Sequence, residues 1–585
     1  PQQGERRVRL HGAVDRKHFK MAWRAPSVRS PEFAPFLVVQ ELLAGGSGVN
    51  FLQNDWGTPA RTDSPLGEIA AEITTWYPPA AQDYVFMISG SIPAGADEAA
   101  LESAVQRAIG ALDAQLGTRT PALGQELVRA RQAVLRELTH DVLTTEDAAH
   151  QLAYFSGLGA LEVLTGLPER IASVEAGGVQ GVLRAYLGPA QRTVGWYVPN
   201  EEVESMPSAS ASEATLPAVE GVAEVGSETL RANVPAGAPT GPAPAPTVHH
   251  LRNGTPLIVQ PSSLSPTVHL KVILPGAVAL DGVDSSPGQP VAGVTSLDFQ
   301  LLPGELRTTV AELREALEKR AVESLRRDQF TADPSARLER HFDDILGLSG
   351  NSNVLPQPPV PLLFVLSGDV EAGQAHASLD GAFGHLPSAS QVAPPALNSI
   401  APLALESAFE RPIAQEQLGY VVRAPGPNDR AVAAWWMTLY VLSHGYEGRL
   451  GKEAISRRGL VYYIDSAYRS NGQDGWVTLA TGVDPAKLPA MRDLLWTELD
   501  RLQREPPSQA EIDEARRHLL GRRGSAAQSN QELAERLARE WLWYGRLRDD
   551  VSLAADLNAV TRQDVLALLP GFTAGAVVAV RNRQP

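Results

Sequence analysis

Few side chains in this chain could do chemistry. None of its 585 residues is cysteine, which excludes a thiol nucleophile, a zinc–thiolate site and a disulfide framework. The twelve histidines include no pair four residues apart, the spacing that sets two imidazoles on one helix face within reach of one metal ion. His249 and His250 are adjacent and precede a run that reads as a strand. Neighbours on a strand face opposite sides, so they read as a surface pair rather than a chelate. Glu514 and His518 share a helix face, but one carboxylate and one imidazole do not make a zinc site; they read as a solvated face. Gly45-Gly46-Ser47-Gly48 lacks the Lys-Ser/Thr of a phosphate loop. Ser47 is not in a Gly-x-Ser-x-Gly elbow, and the stretch reads as the stop of a helix. Tyr462 lies in the apolar run Leu460-Val461-Tyr462-Tyr463-Ile464 and reads as a core or cross-strand aromatic. Trp435-Trp436 places at least one ring in a core. Asp369, after Gly368, reads as a cap or turn at a strand end.

The elements that must hold these residues come in two copies. Trp23-Arg24-Ala25-Pro26 returns as Val422-Arg423-Ala424-Pro425. Each is followed by an apolar helical run ending in glycine, Phe33 to Gly48 and Val432 to Gly448. Asp97-Glu98-Ala99-Ala100-Leu101 is matched by Asp484-Pro485-Ala486-Lys487-Leu488, and Ala130-Arg131 by Ala515-Arg516. The endings Val182 to Leu187 and Val565 to Leu569 also correspond. An offset of roughly 380 to 400 residues is far beyond solenoid periods and indicates two copies of a whole domain.

Within the first copy, strands are expected over Arg6–Leu10, Thr74–Tyr77, Tyr84–Ile88 and Thr193–Val198. Helices are expected over Phe33–Leu43, Glu98–Leu116 and Gly124–Leu138. Between the copies, Leu257–Val259 and Val268–Leu274 read as paired strands, Val310–Arg327 as a charged helix and Leu362–Leu366 as a buried strand. The expected organisation is a first domain over 1–200, a Pro/Ala/Ser/Glu-rich linker over 201–247, a shortened domain over 248–405 and the second copy over 406–585. The linker has no aromatic residue and cannot bury enough apolar surface to offset its ordering entropy.

A formal charge of −16 argues against nucleic acid or an anionic membrane as partner. No run of about 18 apolar residues offers a membrane span. The chain opens on Pro1-Gln2-Gln3-Gly4 without Met or signal peptide, so the expectation is that Pro1 does not start the gene product.

These pieces in order resemble the insulinase/pitrilysin family of zinc metallopeptidases. The residues that carry the resemblance are Asn253-Gly254, Gly368-Asp369-Val370, Phe383-Gly384-His385-Leu386-Pro387, Gly448-Arg449-Leu450, Gly459-Leu460-Val461-Tyr462 and the two domain endings. The resemblance implies an α+β fold of homologous sandwich domains, antiparallel-rich sheets with helices packed on them, in two linked clamshell halves. This chain would hold the second, third and fourth domains. The family's zinc site is His-x-x-Glu-His on a helix, with the Glu beside the metal-bound water. In the third domain that motif is expected to be degenerate, its two His positions on Ser296 and Gln300 and its Glu position on Phe299, so no metal is expected in this chain. Zinc is expected only on a missing first domain or a partner chain. The family's last domain presents an Arg and a Tyr seven residues apart to substrate. The Tyr position is Tyr462; the Arg position is Ile455, a departure, with Arg457 and Arg458 nearby. Loops matching Gly45–Gly48 line the family's inner chamber.

The implied function is the non-metal-binding portion of a zinc metalloendopeptidase that encloses a peptide or unfolded protein segment. The alternative is an inactive subunit or scaffold paired with a separate zinc-bearing chain. The compartment stays open, since bacterial relatives of this kind are often exported to the periplasm.

Overall fold

The computed structural model describes residues 4–12, 14, 16–45, 57–69, 72–118, 120–142, 145–199, 245–263, 267–276, 278–279, 285–287, 291–302, 304–319, 323–324, 334–348, 360–387, 396–409, 413–525 and 528–582. Gly46–Gly48 and nearly all of the expected linker lie outside them. Two compact units result, Pro1–Asp141 with Ala148–Pro244 and Val142–Asp147 with Ala245–Pro585.

The first unit runs β1 (Arg6–Gly12), β2 (Arg16–Ala25), α1 (Phe33–Ala44), β3 (Thr58–Pro59), β4 (Glu72–Trp76), β5 (Tyr84–Pro93), α2 (Glu98–Thr118), α3 (Pro121–His140), α4 (Thr145–Gly157), α5 (Leu161–Ala172), α6 (Ala176–Tyr186) and β6 (Thr193–Pro199). Its sheet has the order β1-β6-β2-β5-β4-β3. Alternation along β2 sets the faces: Phe19, Met21, Trp23 and Ala25 are buried, while His18, Lys20 and Arg24 are exposed. Helix α1 is apolar on all sides and buried almost throughout, as a helix surrounded by others must be. It ends at Gly45, whose φ of 68° suits a residue without Cβ.

In the second unit the order is β7 (Thr247–His250), β8 (Pro256–Pro261), β9 (Val268–Pro275), β10 (Val278–Ala279), β11 (Ser285–Pro287), β12 (Val294–Leu301), α7 (Leu306–Lys319), β13 (Glu323–Ser324), α8 (Pro334–Leu346), β14 (Leu363–Gly368), α9 (Ala372–Phe383) and β15 (Leu403–Phe409). The chain continues through β16 (Glu416–Ala424), α10 (Val432–Ser443), α11 (Arg449–Gly451), a π-helical turn (Lys452–Arg457), β17 (Asp465–Ser470), β18 (Gly475–Val483), α12 (Leu488–Arg504), α13 (Gln509–Ser525), α14 (Asn530–Tyr544), α15 (Asp550–Ala559), α16 (Arg562–Phe572) and β19 (Ala576–Asn582). A middle sheet has the order β11-β12-β9-β14-β8-β7 and a last sheet β15-β19-β16-β18-β17.

One pairing rule governs all three sheets. The opening strand lies parallel to the closing strand (β1 to β6, β8 to β14, β15 to β19). The closing strand is antiparallel to the strand that follows the opening one (β2, β9, β16), and that strand is in turn antiparallel to β5, β12 or β18. The fold is therefore α+β with three homologous domains.

Three expectations need correction. The strands at Leu257–Val259 and Val268–Leu274 do not pair with each other. Strand β14, buried along its whole length, lies between them, parallel to β8 and antiparallel to β9. Its unbroken apolar run marks a central strand. The charged helix expected at Val310–Arg327 starts earlier and ends at Lys319, and residues 323–324 instead form β13, paired with β10. The third correction concerns residues 293–300, expected to correspond to the zinc-motif helix. They form strand β12, the counterpart of β5 and β18. In the other two domains a twelve-residue buried helix follows the second strand. In the third domain the described residues after β9 form the short strands β10 and β11.

Within the second unit, two helices are exchanged between sheets. Helix α14 covers the middle sheet, where Ala534, Leu537, Ala538 and Trp543 pack on Ile258, Ile273, Leu363 and Val365. Helix α8 covers the last sheet, where Leu338, Phe342 and Leu346 pack on Val421, Trp476, Val578 and Val580. Gly419 permits the second approach, because a Cβ there would lie 2.4 Å from Phe342 Cζ.

Candidate functional site

Tyr462 is held at the end of a tightly tied loop. The path from α11 enters the π-helical turn, a feature frequent at functional sites. Ala454 is buried there and Ile455 packs half-buried against the last domain's core. Gly459 turns the chain at φ 54°, and the Leu460 amide donates to the Ala454 carbonyl at 2.7 Å. Lys487 Nζ donates to the Gly459 carbonyl at 2.9 Å. Val461 makes a single bridge to Val483. The chain then turns outward: Tyr462 is 82% exposed and Tyr463 45%. The Thr481 hydroxyl donates to the Tyr463 carbonyl at 2.6 Å, and regular strand begins only at Asp465. A core or cross-strand place for Tyr462 is thus overturned. The run is apolar, but the sheet holds it through the Val461 bridge and the Tyr463 carbonyl, and the two aromatic side chains project.

Ile455 is a core contact, not a polar group facing solvent. Arg457 and Arg458 both lie beside Glu453, Arg457 in a short ion pair one helical turn away and Arg458 at 3.7 Å. Preceding them, Arg449 grips Glu511 through two hydrogen bonds of 2.7 and 2.9 Å. Burial would raise the Glu511 carboxyl, but Arg449 with the Ser508 amide and hydroxyl outweighs it and holds the group at about 2.

The residues at the expected zinc-motif positions are split across the middle sheet. Phe299 packs on the core shared with α7 and α9. Ser296 and Gln300 lie on the opposite face, opposite Ile273 and His269 in register. Ser296 is fully buried; it donates to Asp298 Oδ2 at 2.8 Å and accepts from Lys271 Nζ at 2.7 Å. His269 reaches Asp298 at 2.8 Å, and Lys271 also pairs with Asp298 at 2.6 Å and Glu535 at 2.9 Å. Burial opposes the Asp298 charge, yet His269 and Lys271 hold its carboxyl far below the usual range. Residues 296, 299 and 300 do not fit a zinc ion: Phe299 is aromatic and on the opposite face, Ser296 already serves this ion-pair network, and Gln300 offers only a neutral amide. Among the described residues, no three His, Asp or Glu side chains gather around one point. His269 and Lys271 were missed by sequence reading, although polar residues alternating through an apolar strand were the available sign.

The other histidines are also placed. His249 bonds the Thr247 hydroxyl at 3.0 Å, and the His250 carbonyl is bonded by His376 at 3.0 Å. Glu514 pairs with Arg517. Glu514 is exposed and His518 half-buried, packing against His444 and Tyr440 beside an open cleft. Trp435 is core, against Phe572. The carboxylate that caps α9 is Glu371, which accepts from the Gly373 and Gln374 amides, and Asp369 bends the chain at the end of β14.

Residues 360–519 match the family model described as peptidase M16 inactive domain. That segment runs from β14 into α13 and includes Ile455 and Tyr462. No curated protein matches the chain. Among solved structures, the peptidase M16 inactive domain from Pseudomonas fluorescens is 14% identical, with 58% of this chain and 100% of that chain covered, at a TM-score of 0.46. A mutant of the ferredoxin protease FusC in complex with Arabidopsis ferredoxin is 10% identical, covering 100% of this chain and 73% of that one, at 0.44. The first half of the periplasmic protease PqqL from Escherichia coli is 13% identical, covering 59% and 93%, at 0.43. No helix among the described residues is long and apolar enough to cross a membrane.

Proposed function

We propose, from the match of residues 360–519 to the peptidase M16 inactive domain, that this chain encloses and positions peptide for an insulinase/pitrilysin-type zinc endopeptidase whose metal lies outside it. The observation that carries the reading is Tyr462, an aromatic hydroxyl 82% exposed on an anchored loop inside the matched segment. A buried tyrosine would have been structural; one held outward by four backbone ties has its rotamer and position free for a ligand. Zinc, when bound on another domain or chain, supplies an activated water and polarises the scissile carbonyl. The Tyr462 hydroxyl then donates a hydrogen bond to the substrate carbonyl oxygen as its charge develops. Ile455 offers no second donor. Strand β17 is an edge of the last sheet and starts three residues after Tyr462, so an extended peptide or unfolded segment adds there by strand pairing.

The test is fluorescence anisotropy of an unstructured, labelled peptide on the full chain. Saturable binding that weakens in Tyr462→Ala supports the reading; no binding, or binding indifferent to that substitution, ends it. Tight one-to-one zinc binding by this chain would also end the placement of the metal elsewhere.

A second reading is a catalytically inactive subunit paired with a separate zinc-bearing chain. Ile455 favours it, because the missing guanidinium removes half of the substrate clamp. Co-purification with a distinct His-x-x-Glu-His protein distinguishes it from the first.

A further inference from the structure

The second unit shows how this fold covers the outer faces of its sheets. Helix α8 falls between β12 and the closing strand β14, and helix α14 between β18 and the closing strand β19. Each lies on the sheet of the other's domain. The contact is reciprocal: each domain gives one helix and receives one.

The first unit leaves both halves of that contact open. Helix α4 follows α3 as α14 follows α13. The spacing that relates Ala130 to Ala515 also relates Ala149, Leu152 and Ala153 to Ala534, Leu537 and Ala538, the residues that α14 lays on the middle sheet. On α14 the three are buried. On α4 all three are exposed, Leu152 by 50%.

The outer face of the first sheet is bare as well. Phe19, Met21 and Trp23 turn inward, so His18, Lys20 and Ala22 lie outward. Tyr197 and Gly195 of β6 stand opposite His18 and Lys20, and Leu10 and Val8 of β1 stand opposite Tyr197 and Gly195. Directly paired residues share a face. In the last sheet the places of Gly195 and Tyr197 belong to Val578 and Val580, both fully buried under α8. Here Val8, Leu10 and Tyr197 are exposed, Leu10 by 59%. An uncovered apolar face rimmed by polar residues marks a site of association. Charge fits the same pairing. The face carries His18, Lys20 and Arg24 exposed, whereas α4 opens with Glu146 and Asp147.

A unit that offers both a covering helix and an uncovered face complements a copy of itself. Two copies related by a two-fold axis satisfy both at once, as an isologous interface requires. We propose that the first units of two copies of this chain pair in this way, α4 of each lying across Val8, Leu10 and Tyr197 of the other. The pairing uses neither Tyr462 nor the edge of β17, so it stands or falls apart from peptide binding.

Sedimentation velocity of the full chain across the micromolar range tests it. The parent is expected at twice the chain mass. Leu152→Asp and Leu10→Asp each put a carboxylate into a contact that the two-fold axis repeats, so each should weaken the dimer about hundredfold or more. Both positions are exposed in the single chain, so circular dichroism and the thermal midpoint of the monomer should not move. Mixing the two variants should restore part of the dimer, because the mixed pair keeps one contact free of either substitution. A parent that is monomeric across the range, a dimer indifferent to both substitutions, or a mixture that recovers nothing overturns the proposal. A monomeric chain that takes up a separate domain of this fold through Leu152 also overturns it and assigns the face to that domain.

Discussion

Lys271 on β9 and Glu535 on α14 meet at 2.9 Å, so the ion pair that closes the polar end of the middle sheet is completed by a helix from the last domain. Lys271 also neutralises Asp298 and bonds Ser296. Replacing it by Met leaves a mostly buried carboxylate without its lysine partner. The expected cost is about 3–5 kcal/mol, read as a lower urea midpoint for the second unit. Glu535→Gln, which leaves Lys271 on Asp298, should cost less than about 1.5 kcal/mol.

Gly419 sets how closely α8 approaches the last sheet. Gly419→Ala puts a methyl 2.4 Å from Phe342 Cζ and 2.9 Å from Leu338 Cδ2. Overpacking of that kind should destabilise by about 1–3 kcal/mol. Adding Phe342→Leu should recover part of the loss, and a double-mutant cycle would show the two sites coupled.

Acid stability should depend on Glu511. Its carboxyl is held at about 2 in the folded protein against 4.5 ordinarily. A depressed carboxyl stabilises the fold at every pH above its unfolded value. That contribution falls away as pH drops from about 4.5 to 2, through the native value. Arg449→Met removes the main partner, so the variant should be less stable at pH 7 and lose less on acidification. Thermal unfolding of the two proteins from pH 7 to 3 checks this; parallel curves would refute it.

Tyr462 should matter for binding and not for folding. At 82% exposure, Tyr462→Ala should shift stability by less than about 0.5 kcal/mol. Tyr462→Phe keeps the ring and removes the hydroxyl, so it separates stacking from hydrogen bonding in the peptide titration.

The duplication was readable because the repeated residues repeat their jobs. Arg131 donates to the carbonyls of Ala172 and Val174, and Arg516 to those of Leu557 and Val560. Arg24 pairs with Asp83 and Arg423 with Asp474. The Tyr77 hydroxyl bonds the Pro26 carbonyl and the Tyr468 hydroxyl that of Pro425. Local pattern also located most strands and helices. It could not tell that β14 separates β8 from β9, because an all-apolar strand has no preferred neighbour. Nor could it read β12 as a strand while the zinc motif suggested a helix. The apolar stripes of α8 and α14 announce that each covers something, but not which sheet. The site was legible only as residue names: Tyr462 was flagged, yet its outward turn depends on Gly459 and on the bridge that Val461 makes to Val483. His444 and His518 meet only through the packing of α10 on α13.

The exchange of α8 and α14 also imposes an order on synthesis. When β14 has left the ribosome, the middle sheet can form, but Ile258, Ile273, Leu363 and Val365 remain bare until α14 follows more than 160 residues later. At ordinary translation speeds that is roughly 10 to 30 s. Through that interval the nascent chain carries an uncovered apolar sheet, the kind of surface that exposes a folding chain to aggregation.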